Sequence, residues 1–149
     1  MLEQARQQHI GRLLVRATRA FNVLALQKLQ AQGHTALSLA HTNLLPHLDT
    51  GGTRIVTLAE RAGMTKQAAG QLVAELEQHG YVERSPDPTD GRALRVQFTA
   101  AGWQYLLDAQ TVKQAIETEY RTTLGETAWA GLNAALEKLL DQHGLTESE

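Results

Sequence analysis

The sequence has no cysteine, three prolines, and aromatic side chains at only 5% of its 149 positions. Without cysteine, the chain can form no disulfide bond, thiolate metal site or thiol-based redox switch. No run of about 18 apolar residues occurs, so no membrane-spanning helix is expected. The N-terminus carries arginines throughout and lacks the uninterrupted apolar core of a secretory signal. We therefore expect a cytoplasmic protein that does not associate with membranes.

The chain also lacks a strong net charge, at −2, which by itself argues against binding to nucleic acid. The charges are unevenly placed, however. Residues 1–34 hold five basic residues and one acidic residue, residues 53–99 hold six of each sign, and residues 100–149 hold three basic and eight acidic residues. The two ends are thus electrostatically complementary and could pack together within one chain or between two chains.

Sequence signatures of catalysis are missing as well. No nucleophile–base–acid set, phosphate-binding loop or HExxH-type spacing is present, which disfavours a small hydrolase. Asp87 and Asp90 could form a carboxylate pair for metal binding or acid–base chemistry, but they share one turn-rich loop with no nearby histidine. We expect no catalytic residue, no metal and no cofactor.

Apolar residues at helical spacing predict a long amphipathic helix over residues 8–30, which Gly33 ends. A second helix is predicted over residues 37–48, where Pro46 should bend or stop the last turns. At 42% hydrophobic and 20% charged residues, a chain of this length suits one compact domain or two subdomains that share a core.

The next elements are short. Residues 54–56 predict a small strand, and Thr57 with Glu60 forms a capping-box pattern for a helix that Gly63 breaks. Thr65 can cap the following helix, predicted over residues 66–79. Its buried stripe would consist of Ala69, Leu72, Val73 and Leu76. Two helices joined by a glycine-containing turn indicate a helix-turn-helix.

A β-hairpin is predicted directly after this pair of helices, from strands at residues 81–84 and 93–98 on either side of a turn-rich segment. The result is a winged helix-turn-helix. Thr99 can cap a further long helix, Gly125 interrupts it, and a last helix over residues 127–142 would bury Trp129, Leu132, Leu136, Leu139 and Leu140. The predicted fold class is mainly α with a small β-hairpin wing.

The outward face of the helix at 66–79 is the first candidate site. In helix-turn-helix proteins the N-terminal part of the second helix enters the major groove, where glutamine can bond adenine and lysine can reach guanine or phosphate. A glycine on this face would allow close approach to DNA, and the capping threonine can touch a phosphate. The candidate DNA-binding residues are Thr65, Lys66, Gln67, Gly70 and Gln71. On an unrelated helix the same residues would be ordinary solvated surface.

The second candidate site is the hairpin tip. Residues 87–91 form a tight loop of proline, aspartate and glycine, and Arg92 projects from the strand that follows. A long arginine on a stiff ribbon suits a narrow, electronegative minor groove. Asp90 could orient the guanidinium by a charge-assisted pair. The alternative is a surface turn with a weak salt bridge.

At this point the chain resembles the MarR family of bacterial transcriptional regulators. The resemblance is strongest over residues 53–102 and includes TLAERAGMTKQAAGQLVAELEQHGYVERSPDPTDGRALRVQFTAAG. DPTDGR is similar to the wing signature of the family, and FTAAG to the usual exit from the wing. Two features depart from the family pattern: Gly91, where a second basic residue is common, and Pro46.

The resemblance implies a homodimer that binds double-stranded DNA at a pseudo-palindromic operator and usually represses transcription. It implies dimerisation helices at 1–34 and 100–149 around a winged DNA-binding domain at 35–99. It further implies a small aromatic or phenolic effector that releases the DNA. Candidate pocket residues are Arg16, His41 and His47, with His34 nearby, although the sequence favours surface or partly buried structural roles for the histidines.

A winged module that contacts only other proteins is the main alternative, because residues 53–99 have no net charge. Salt titration separates the two. A DNA-binding protein should lose affinity steeply with salt, whereas absence of binding at low salt would favour the protein-contact interpretation.

Overall fold

The computed structural model describes residues 9–145, which are mainly helical with one small sheet. The helices are α1 (Ile10–Ala31), α2 (Leu39–Leu44), α3 (Ile55–Arg61), α4 (Lys66–Gln78), α5 (Ala100–Leu124) and α6 (Glu126–Gln142). The strands are β1 (Thr53–Arg54), β2 (Val82–Asp87) and β3 (Asp90–Phe98). They form an antiparallel sheet in the order β1-β3-β2. This architecture confirms the predicted fold class.

The chain divides into two compact units, with the boundary inside α5 between Val112 and Lys113. The first unit contains an apolar core drawn from α2, α3, α4 and the sheet. Its most buried members, each at most 1% exposed, include Leu44, Leu58, Val73, Leu76 and Val96. The predicted stripe of α4 is confirmed for Ala69, Val73 and Leu76, whereas Leu72 is half-buried.

The entry to the helix-turn-helix differs from its prediction. The strand at 54–56 is wrong beyond Arg54, because α3 already begins at Ile55 with Arg54 as its extended N-cap residue. Ile55, Leu58 and Ala59 are all buried, and their spacing places them on one helical face. Thr57 consequently lies inside the first turn, so the predicted capping box with Glu60 does not form.

A capping box occurs instead at the start of α2, where the sequence analysis did not predict one. The backbone N–H of Ser38 donates to Nδ1 of His41 at 3.1 Å, and the backbone N–H of His41 donates to Oγ of Ser38 at 3.4 Å. α2 ends at Leu44, four residues before the predicted end, and continues as a 3₁₀ turn at Leu45–His47. Pro46 lies within that turn, as expected for a helix-stopping residue.

The turn between α3 and α4 follows the prediction closely. Gly63 has a positive φ of 65°, which favours glycine, and ends α3. Thr65 caps α4, since its hydroxyl oxygen accepts the backbone N–H of Ala68 at 3.1 Å. α4 ends at Gln78, and Gly80 takes the positive φ after it.

The exit from the wing is held by a close backbone contact. The N–H of Thr99 donates to the carbonyl oxygen of Tyr81 at 3.1 Å, and the Thr99 hydroxyl oxygen accepts the N–H of Gly102 at 3.1 Å. A Cβ added at Gly102 would lie only 2.1 Å from the same Tyr81 oxygen. Glycine is therefore required at the end of the FTAAG segment.

The second unit contains the rest of α5, then Gly125 with a φ of 80°, and α6. None of the residues of α6 is buried. The predicted burial of its apolar stripe is therefore wrong for this chain on its own: Trp129 and Leu136 are half-buried, while Leu132, Leu139 and Leu140 are 43–46% exposed. The amphipathic pattern is present, but the described part of the chain supplies no cover for it.

The first half of α1 is exposed in the same way. Ile10 is 67% exposed, Leu13 48% and Val15 70%.

Among residues 9–145, no helix is long and apolar enough to cross a membrane.

Candidate nucleic-acid interface

The face of α4 chosen from the sequence is open to solvent. Lys66, Gln67 and Gln71 are exposed, together with the capping Thr65. A Cβ added at Gly70 would meet no atom within 4 Å, so nothing in the described chain covers this position. The N-terminal half of α4 therefore presents an exposed polar surface that could fit into a groove of DNA.

Asp87 organises the wing beside this surface. Its side chain, only 6% exposed, accepts the backbone N–H of Thr89 at 2.8 Å and the Thr89 hydroxyl at 2.6 Å. Nε of Arg54 in β1 donates to its other carboxylate oxygen at 2.8 Å. These contacts, the arginine first, hold the pKa of Asp87 well below its usual range.

Arg54, the N-cap residue of α3, thereby fastens the hairpin tip to the start of that helix, and its Nη2 also donates to Thr89 at 3.0 Å. Arg54 is an addition to the residues predicted for this site. The Asp-Pro-Thr pattern signals a local turn, but no local pattern signals an arginine 33 residues earlier in the chain. Because Asp87 is buried and ion-paired, it stabilises the wing and is not available for the metal or acid–base role considered above.

Asp90 and Arg92 contact each other differently from the prediction. The backbone N–H of Arg92 donates to Oδ1 of Asp90 at 3.1 Å. In residues 9–145 the Arg92 guanidinium makes no ion pair with Asp90 or any other carboxylate. Asp90 thus shapes the backbone of the turn and leaves the exposed Arg92 side chain available to a partner.

A cleft of about 510 Å³ lies where the wing approaches α3 and α4. Lys66 of α4, together with Asp90 and Arg92 of the wing, lines it, and so does Arg54. The structure therefore brings residues of the two predicted sites, the helix and the wing, around one concave surface.

Half of the positive charge in residues 53–99 is already compensated. Three arginines are ion-paired, in the pairs Arg54–Asp87, Arg61–Asp49 and Arg84–Glu77, at 2.6–2.9 Å. Arg84 and Arg61 lower the pKa of their partners, Glu77 and Asp49. A further arginine, Arg95, donates to the carbonyl oxygen of Gly51. Lys66 and Arg92 remain outside such contacts, and both lie on the candidate interface.

The candidate ligand-pocket residues have three different surroundings. Arg16 is exposed on α1 and lines an open groove of about 680 Å³ with Arg12, Arg19 and apolar neighbours. His41 is 3% exposed, and both of its ring nitrogens are engaged, one with Ser38 and one with Glu75. His47 is half-buried in the 3₁₀ turn. No hydrogen bond or ion pair within residues 9–145 joins any two of the three.

His34 is a buried structural residue. Its Nδ1 lies 2.9 Å from the Tyr81 hydroxyl, and its Nε2 lies 2.9 Å from Oδ2 of Asp108. The contact with His34 lowers the pKa of Asp108. The described residues 9–145 contain no group of three or more metal-binding side chains.

A short helix, a glycine turn, an exposed second helix and an attached hairpin define a winged helix-turn-helix protein. Residues 37–93 match the model of the MarR family. The chain is 33% identical over 72 residues to the transcriptional regulator HosA of Escherichia coli O111:H-, a match that covers 48% of this chain and 53% of HosA. The chain thus spans about half the length of this curated relative.

Solved structures show the same fold over nearly the whole chain. Wild-type MarR of E. coli in its apo form superposes with a TM-score of 0.76 at 24% identity, over 89% of this chain and 96% of that one. The PcaV transcriptional regulator of Streptomyces coelicolor, in complex with its natural ligand, superposes with a TM-score of 0.65 at 19% identity, over 90% and 93%. The match to the MarR family model thus covers the helix-turn-helix and the start of the wing, and these solved structures share the winged-helix fold of this chain.

Proposed function

We propose that this protein is a transcriptional repressor that binds double-stranded DNA. The observation that carries the proposal is the uncovered face of α4, bearing Lys66, Gln67 and Gln71, beside a wing whose Arg92 forms no ion pair with any of residues 9–145. α4 would enter the major groove, and Arg92 the adjacent minor groove. Thr65 would contact a phosphate, and Gly70 would let the backbone approach closely.

We further propose that the protein acts as a homodimer on a pseudo-palindromic operator. Two apolar surfaces are exposed in the single chain: Ile10, Leu13 and Leu14 of α1, and the leucines of α6. A second copy of the chain would bury both surfaces, consistent with the opposite net charges of residues 1–34 and 100–149. A two-fold axis would then place two copies of α4 about one helical turn of DNA apart.

The dimer can be tested separately from DNA binding. Leu139→Asp places a charge on the exposed apolar stripe of α6 and should shift the protein towards monomer in sedimentation or light scattering. Ala134→Asp adds the same charge beside Glu137 and Lys138 on the polar face of the helix and should leave the dimer intact. A monomeric wild-type protein at micromolar concentration would contradict the proposal.

An aromatic or phenolic anion is the proposed effector. The open groove on α1 supports it, since Arg12, Arg16 and Arg19 lie there beside the apolar Val23 and Leu24. His41 and His47 were the other candidates, but the engaged ring of His41 makes Arg16 the stronger one. A coupling of roughly 1–3 kcal/mol between effector and DNA would suffice to release the operator.

A footprint on the DNA that flanks the gene, with and without candidate aromatic acids, tests operator binding and release together. A protected pseudo-palindrome that is lost on addition of an acid would support the proposal. The alternative is a winged module that contacts only proteins. The ion pairs that three of its arginines form with carboxylates favour this alternative. Failure to bind any duplex at low salt would decide for that alternative.

A further inference from the structure

A hydrogen-bonded chain runs from the start of α2 to the base-reading face of α4. Nε2 of His41 lies 2.9 Å from Oε2 of Glu75, a half-buried residue of α4. The other carboxylate oxygen of Glu75 accepts from Nε2 of Gln71 at 3.5 Å, one turn towards the N-terminus. The buried His41 is thus connected through Glu75 to a residue proposed to read bases.

In this series of hydrogen bonds, the donor and the acceptor of each bond can be assigned by starting from the buried His41. The backbone N–H of Ser38 can only donate, so Nδ1 of His41 must accept and carries no proton. The ring proton of the neutral imidazole is therefore on Nε2, and it is donated to Glu75. A carboxylate can only accept, so Gln71 must turn its NH₂ group towards Glu75.

We propose that Glu75 is a positioning residue that sets the base preference of Gln71. With one N–H held by Glu75, Gln71 presents its carbonyl oxygen and its remaining N–H to the groove. That pair of groups matches adenine, whose N6 donates and whose N7 accepts. The inference rests on the proposed entry of α4 into the major groove.

Glu75→Gln should reverse the polarity of the exposed amide. Because Ser38 keeps the ring proton on Nε2 of His41, the new side chain must turn its oxygen to His41 and its NH₂ to Gln71. Gln71 then turns its own oxygen inwards and presents two N–H groups, which match the N7 and O6 acceptors of guanine. The ratio of affinities for adenine and guanine at the contacted position should fall about tenfold or more.

The control is Glu83→Gln, which removes the same charge from an exposed residue of β2 that lies away from this chain of contacts. Both variants should gain similar affinity for random duplex, because each removes one negative charge. Only Glu75→Gln should change the preference among operators that carry each of the four base pairs at every half-site position. Gln71→Ala should abolish the preference in either background.

A second measurement needs no DNA. Long-range ¹⁵N–¹H correlation spectra report which ring nitrogen of a histidine carries the proton, and His41 should be the Nε2–H tautomer in both the wild-type and the Glu75→Gln protein. A proton on Nδ1 would overturn the inference, as would identical base preferences of Glu75→Gln and Glu83→Gln. Failure of the wild-type protein to bind any duplex, with the expected tautomer present, would instead refute the proposed function.

Discussion

The salt dependence of DNA binding should be modest, because few cations on the interface are free. Within the described part of the chain, Lys66 and Arg92 are the basic side chains of residues 53–99 that neither form an ion pair nor bind a backbone carbonyl. Two copies in a dimer would bring roughly four such charges to the DNA, and each contributes about −0.9 to the slope of log K against log salt. The expected slope is about −4, which is shallower than the sequence alone led us to expect.

Arg92→Ala should remove two of these charges per dimer and reduce the slope to about −2. Affinity at low salt should fall tenfold or more, because a guanidinium in a narrow minor groove is lost from each half-site. Fluorescence anisotropy with a labelled operator, repeated at four or five salt concentrations, measures both quantities. Light scattering should show an unchanged assembly state, because Arg92 lies on the wing.

Gly91→Lys is the matched gain of charge. A Cβ at Gly91 would meet no atom within 4 Å and its φ is not in the left-handed region, so lysine should be accommodated. The slope should steepen by about 2 relative to the wild type. A wild-type slope near −10 would show that the ion-paired arginines also contact phosphates, and an Arg92→Ala slope equal to that of the wild type would show that the wing does not contact DNA.

Four further predictions concern the first unit. Gly102→Ala should cost about 1–3 kcal/mol or more in the free energy of unfolding, measured in urea, because its Cβ would collide with the Tyr81 carbonyl. Gly70→Ala should raise that free energy by about 1 kcal/mol yet weaken operator binding; unchanged affinity would show that DNA does not approach closely there. Burial raises the pKa of Tyr105 to about 12, so folding stability should be lost progressively as pH rises from about 10 to 12. Tyr105→Phe should reduce this loss in thermal melts, and the remainder should come in part from Tyr81, whose pKa burial also raises. The lowered pKa of Asp87 stabilises the wing at pH values above the ordinary aspartate pKa of about 3.8. The protection of the wing against hydrogen exchange should therefore fall in acid. Asp87→Asn should weaken the wing at neutral pH as well.

Local signals in the sequence predicted most of the reading module. Thr65 as a cap and Gly63 as a break act through bonds and dihedral angles within a few residues, and both have these roles in the structure. The stripe of Ala69, Val73 and Leu76 was readable because burial on a helix repeats every three or four residues. Contacts between residues only a few positions apart can therefore be predicted from the local sequence.

The misses have different causes. The chain starts α3 at Ile55, since burial of Ile55 with Leu58 outweighs the capping pattern at Thr57. The pairing of Arg54 with Asp87 connects residues far apart in sequence, and the capping box at Ser38 uses a histidine in place of the usual glutamate or glutamine. The tertiary fold selects Asp87 as the partner of Arg54, so no local pattern reveals that pair, whereas the capping box at Ser38 is local and was missed because His41 replaces the usual residue type.

The exposed leucines of α6 illustrate a third kind of limit on inference from a pattern. An amphipathic stripe establishes that burial of those side chains would be favourable, at about 25 cal/mol per Å² of apolar surface, whichever surface provides the cover. The periodicity is identical whether the cover is the same chain or another copy. Here the stripe of α4 is buried by its own chain while Leu132, Leu139 and Leu140 are not, although both helices were read by the same rule. The difference between the two helices is therefore what points to a second chain, and it becomes visible only when the burial of one chain is measured residue by residue.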